Sequence, residues 1–143
     1  MVFHFFSIQN KGYSTSKLEI ENEQIEHISP QSPTNGEPIE TGYDVDDNSQ
    51  YSDEFIDSKL NCLGNLMLIS GSHNASIGNK PFSDKLSTYK SNPLLNQQAE
   101  IVNFSIDEAE KPVWKSESIA ERQEKIVMFA TDTWNLDDIE FGA

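Results

Sequence analysis

Apolar positions are sparse along this chain, and where they cluster their spacing predicts distinct elements. The most apolar run is Leu63-Gly64-Asn65-Leu66-Met67-Leu68-Ile69, followed by Ser70-Gly71-Ser72. Its length and the turn residues after it predict a strand. Over 17–28 the apolar positions are Leu18, Ile20, Ile25 and Ile28, with polar residues between the two pairs. From Gln24 the pattern partly alternates and stops at Pro30, which reads as a second strand. Residues 31–50 are rich in Pro, Gly, Ser, Asn and Asp and nearly devoid of core residues, the composition of a mobile acidic loop.

Helical spacing recurs in three places. Ser52 suits the cap of a short helix near 52–60, with Phe55, Ile56 and Leu60 inward. After a turn into helix at Asn74, Pro81 suits a first helical position, and Phe82, Lys85, Leu86 and Tyr89 follow at helical intervals over 81–90. Asn92-Pro93 ends that helix. A polar connection through Lys111-Pro112 leads to a third helix over 118–134, with Ser118 and Glu121 as a capping box. Ile119, Arg122, Ile126, Ala130 and Thr133 share its inward face. A charge at Arg122 there needs a partner, and a structural salt bridge is expected over a DNA contact. The fold class expected is α+β: a two-stranded ribbon and short helix at the core, with additional packing helices.

Charge changes the picture. The chain has 143 residues, enough for one domain, with 24 acidic against 10 basic side chains and a formal net charge of −14. Nucleic-acid affinity grows with the number of phosphates neutralised. Any such function here must therefore rest on a local site, a metal ion or a partner's positive surface. Cys62 is the only cysteine, which excludes an internal disulfide or a cysteine zinc cluster and agrees with a reducing, cytoplasmic setting. The apolar start, Met1 to Phe6, is too short for a signal peptide or membrane span. Residues 1–16 are expected to pack on something, and 137–143 to fray. Asp44, Asp46 and Asn48 echo a calcium loop, but Ser49 and Phe55 stand where it needs glycine and glutamate.

The candidate chemistry lies in Glu26-His27, Asn65 and Asn74. A carboxylate suits a hard divalent cation. An imidazole, titrating near neutrality, can take a proton from an attacking water. Glu26 and His27 would face opposite ways on a regular strand, and a kink near Pro30 would bring both to one site. Asn65 and Asn74 lie nine residues apart, bracketing strand, turn and helix start. That spacing returns the helix N-terminus to the first strand. Asn74 could then supply an amide oxygen to the cation, and Asn65 could fix the His27 tautomer. His73 is the rival ligand to Asn74.

Three stretches, Glu26-His27-Ile28-Ser29-Pro30, Leu63 to Leu68, and Asn74 to Lys85, resemble the HNH-type nuclease domain at the C-terminus of GmrSD-type restriction endonucleases. Trp114, Ile119, Arg122 and Trp134 fit that family's closing pattern. The resemblance covers roughly residues 17–136, the expected nuclease domain. It implies a ββα-metal (HNH, His-Me finger) core and a DNA endonuclease of the restriction type. His27 would be the general base and Asn65 its orienting residue. Glu26 and Asn74 would be ligands of Mg²⁺ or Mn²⁺, and Lys80 a phosphate contact. It also implies a nucleotide-binding N-terminal domain or subunit, which is missing from this sequence, and no membrane partner. The competing expectation, motivated by the acidic charge and that missing domain, is a catalytically inert fragment or an acidic interaction subunit for a partner nuclease.

Overall fold

A strand that turns a single residue, Glu26, into the core organises the molecule. In β1 (Glu23–His27) Glu26 is buried, while Ile25 is 56% exposed and His27 is half-buried. The computed structural model describes residues 22–33, 41–91 and 96–134. The expectations for 1–16, 17–21, 34–40 and 137–143, and for a helix end at Asn92-Pro93, lie outside the described residues.

β1 pairs antiparallel with β2 (Leu66–Ser70), with Glu26 opposite Met67 and His27 opposite Leu66. The apolar run is thus split. Leu63–Asn65 forms a 3-10 turn, and the strand begins only at Leu66. Gly64 explains the split: a β-carbon there would lie 2.1 Å from the carbonyl oxygen of Ile119, so the turn presses directly on the neighbouring helix backbone. Ahead of it, α1 (Asp53–Phe55) starts at the predicted cap, Ser52 accepting from the Phe55 amide, and continues as a π turn over Ile56–Leu60. Phe55 and Leu60 enter the core, but Ile56 is exposed, because the wider π turn rotates it off the inward face.

β2 runs into α2 (Gly71–Ile77) without a loop. The helix therefore begins three residues before Asn74, where Ser70 Oγ accepts from the His73 amide at 3.4 Å. Gly78, at φ +52°, ends it. Then come α3 (Phe82–Ser91), α4 (Asn96–Phe104), a hairpin of β3 (Ile106–Glu108) and β4 (Lys111–Val113), and α5 (Ser116–Thr133). Both α4 and the hairpin occupy what the sequence presented as a polar connection. On α4, Gln97, Gln98 and Glu100 are buried beside Ile101 and Phe104, so polar residues share its inward face and blur the apolar spacing that betrays a helix.

The acidic loop also departs from expectation in its described part. Tyr43 is 2% exposed and its hydroxyl donates to the Lys80 carbonyl at 2.7 Å. The Phe82 amide donates to the Thr41 carbonyl, and the Trp114 amide to Gly42. Asp44 accepts from the Ser116 amide at 2.7 Å and from its hydroxyl, so the cap of α5 comes from this distant loop and α5 starts two residues before Ser118. The core gathers Ile28, Tyr43, Met67, Ile69, Phe82, Tyr89, Trp114 and Ile119 between the β1–β2 ribbon and the helices.

Candidate functional site

Because β2 passes straight into α2, the first turns of that helix lie beside β1. Asn74 Nδ2 donates to Gln24 Oε1 at 2.7 Å, tying helix to strand and turning the amide oxygen Oδ1 away from that bond. A cleft of about 220 Å³ opens where the two elements meet, lined by His27, Asn74, Glu26, Lys85, Gln31 and Asn79 among others. His27 and Asn74, distant in sequence, share this space. A larger hollow of about 500 Å³ lies among Asp44, Asp46, Tyr51 and Glu54. It contains none of the predicted site residues, and Asp46 spends its carboxylate within its own turn on the amides of Asn48 and Gln50.

The His27 ring is held by a residue that the sequence did not single out. Its Nε2 lies 3.0 Å from Asn61 Oδ1. An amide oxygen there can accept from Nε2–H, which in the neutral ring is the tautomer that leaves the Nδ1 lone pair free. Asn61 follows the π turn of 56–60, and no spacing pattern marks it.

Asn65 does something other than hold that ring. It is fully buried, and its side chain is consumed by backbone and indole. Oδ1 accepts from the Ser29 amide (2.8 Å) and Trp114 Nε1 (3.2 Å), while Nδ2 donates to the Ser29 (3.0 Å) and Leu60 (2.9 Å) carbonyls. Its own carbonyl accepts from the Ile28 amide at 2.9 Å. Asn65 thus fixes the exit of the strand that carries His27, through the peptides at Ile28 and Ser29. The reason is positional: the 3-10 turn points its side chain inward, toward Trp114.

Glu26 faces inward as well, because β1 stays regular through His27 and no kink at Pro30 reverses it. It is 5% exposed, and its Oε1 accepts from Lys85 Nζ at 2.7 Å and from the Tyr89 hydroxyl at 2.8 Å. Lys85 also donates to the carbonyls of His27 (2.9 Å) and Ile28 (3.2 Å). Desolvation pulls the Lys85 ammonium below its ordinary range, and the carboxylate of Glu26 opposes that shift. Burial, with the same carboxylate, pushes the Tyr89 phenol well up. Lys85 was legible only as a lysine in an apolar stripe, a position where a charge requires a buried partner.

The remaining predicted residues stand apart. His73 is half-buried and turns toward α4, its Nδ1 3.3 Å from Gln98 Nε2. It does not line the cleft. Lys80 is exposed and also outside the lining set. Arg122 is buried on α5, where one guanidinium nitrogen donates to the carbonyls of Leu63 (3.0 Å), Gly64 and Leu66 (both 2.8 Å). It anchors the 3-10 turn by carbonyl bonds in place of the salt bridge expected. Desolvation lowers its pKa to about 10.

Among the described residues no three His, Cys, Asp or Glu side chains converge, which does not suit a closed zinc site. The cleft has side-chain oxygens of the kind a hard cation takes. Glu26 lines it with both hydrogen bonds on one carboxylate oxygen, and Asn74 brings an amide oxygen. Such ions keep several waters and take few protein ligands.

A family model described as the C-terminal domain of GmrSD restriction endonucleases matches residues 3–129. The chain belongs to this family. It is a nuclease-related domain of the restriction type, with a mixed helix and strand fold. No curated protein and no solved structure matches it significantly. No helix among the described residues of this GmrSD C-terminal domain is long and apolar enough to cross a membrane.

Proposed function

We propose that this chain is the DNA-cutting module of a restriction-type endonuclease, an HNH (ββα-metal) domain in which His27 is the general base. The observation that carries the reading is the shared cleft of His27 and Asn74, at the junction of an antiparallel strand pair and the helix that follows it. Asn61 supports it by leaving Nδ1 of His27 as the proton acceptor. In the reaction, a water gives its proton to His27 Nδ1 while its oxygen bonds to phosphorus, and the bond from phosphorus to the leaving oxygen breaks. Glu26 and Asn74 would hold a divalent cation, Mg²⁺ or Mn²⁺, which when bound supplies positive charge to the scissile phosphate and leaving oxygen. Lys80, exposed near the end of the turn after α2, is a candidate contact to a more distant phosphate.

The acidic balance of the chain implies that affinity for DNA comes mainly from outside this domain. A partner domain or subunit, of the nucleotide-binding kind that the family carries ahead of it, would supply the positive surface. The test is plasmid cleavage in Mg²⁺ or Mn²⁺. His27→Ala should abolish cutting while leaving the thermal transition in place, since the ring is half-buried at a strand end. Equal cutting by His27→Ala and parent would overturn the reading.

A further inference from the structure

A buried ion pair borders the cleft, and its cation, Lys85, has no role assigned so far. Lys85 projects from α3 into the end of β1, where its side chain is fully buried. An ammonium has three N–H donors. All three are met, by Glu26 Oε1 at 2.7 Å and by the carbonyls of His27 and Ile28 at 2.9 and 3.2 Å. One side chain therefore grips three successive residues, the middle one bearing the cleft's imidazole. Asn65 grips the same segment from the other side, at Ile28 and Ser29.

The geometry points to Lys85 as a positioning residue for the cleavage centre, one that acts on the reaction only through His27 and Glu26. This rests on the nuclease reading above. Burying a charge pair is weak as a source of stability, because a well-packed apolar pair of equal volume often serves as well. What an apolar pair cannot do is orient two carbonyls. By fixing the peptides on either side of the His27 carbonyl, the ammonium sets the direction in which the ring leaves the strand, and so its reach to Asn61. By holding one oxygen of Glu26, it sets how that carboxylate borders the cleft.

The test compares Lys85→Met and Lys85→Gln with the parent. Supercoiled plasmid cleavage in Mn²⁺ gives kcat and KM separately, and the ¹⁵N resonances of the His27 imidazole report ring placement without any activity. For a variant that keeps the parental circular dichroism, kcat should fall about a hundredfold with KM changed less than twofold, and the His27 resonances should move. A folded variant with parental kcat, or with His27 resonances unmoved, overturns the proposal. If neither variant folds, Lys85 is a core cation and the proposal also falls. A parent that cuts no plasmid defeats the nuclease reading alone, because the His27 resonances then still decide whether Lys85 places the ring.

Discussion

Gly64 and Ile119 meet with no room for a single added carbon: a β-carbon on Gly64 would sit 2.1 Å from the Ile119 carbonyl oxygen. The same turn receives Gln123 Oε1 on the Gly64 amide at 2.6 Å and Arg122 on its carbonyls. The turn is thereby pinned to α5, and through Asn65 it carries that anchorage to the strand of His27. Gly64→Ala forces turn and helix apart. It should cost about 3 kcal/mol, the upper range for overpacking, read from the urea midpoint.

Asn61 and Asn65 separate two kinds of support. Asn65→Ala strands buried groups on Ser29, Leu60 and Trp114 and should cost roughly 3 kcal/mol. Asn61→Ala, at an exposed position, should change stability by less than about 0.5 kcal/mol. It should nevertheless slow plasmid cleavage by about tenfold to a hundredfold, since it frees the His27 ring. Stability loss of similar size in both variants would refute this division.

Divalent metal should raise the thermal transition of the parent, by an amount corresponding to about 2.7 kcal/mol at a hundredfold excess over Kd. Asn74→Ala should leave the metal-free transition nearly in place, since its side-chain bond to Gln24 is exposed, and should weaken the metal response. A full response in Asn74→Ala would remove that residue from the ligand set.

Alkaline pH should unfold the protein, and the sign follows from the buried phenols. Burial raises the pKa of Tyr43, Tyr51 and Tyr89, foremost through desolvation. Each such group contributes stability that is present below about pH 10 and lost as pH rises beyond it. Arg122, lowered to about 10, and Lys85, also lowered, work in the opposite sense above their folded values. The offset from Lys85 ends at the ordinary lysine range, so above it the three raised phenols outweigh Arg122 and stability falls with pH. Tyrosinate absorbance should therefore rise together with loss of helical circular dichroism; a tyrosinate signal from Tyr43 and Tyr89 in a still-folded protein would contradict it.

The parts of the fold legible in the sequence were those that obey a period. The helix of Phe82, Leu86 and Tyr89 and the inward line of Ile119, Arg122 and Ile126 follow from spacing. The pairing partners Glu26 and Met67 lie on the two segments read as strands. What escaped lacks a local pattern. Helix α4 buries glutamines, and Tyr43 enters the core from a stretch whose composition signals a loop. Ser70 displaces Asn74 from the start of α2. Within the site, His27 and Asn74 were singled out as residue types suited to metal-assisted hydrolysis, and they line one cleft. The ring's partner was not, because Asn61 and Asn65 are chemically identical and only the 3-10 turn decides which of them turns inward to Trp114 and which outward to the imidazole.

The pairing of β1 with β2 requires the chain between Ile28 and Asn65 to close on itself before either strand gains a neighbour. Long closures slow folding, since their entropy must be met before the contacts form. On the ribosome, a nascent chain extending only to the π turn displays His27 without Asn65, Asn74 or Lys85. The cleft thus comes into being late in synthesis, once the segment through α3 has emerged, and no shorter translation product carries it.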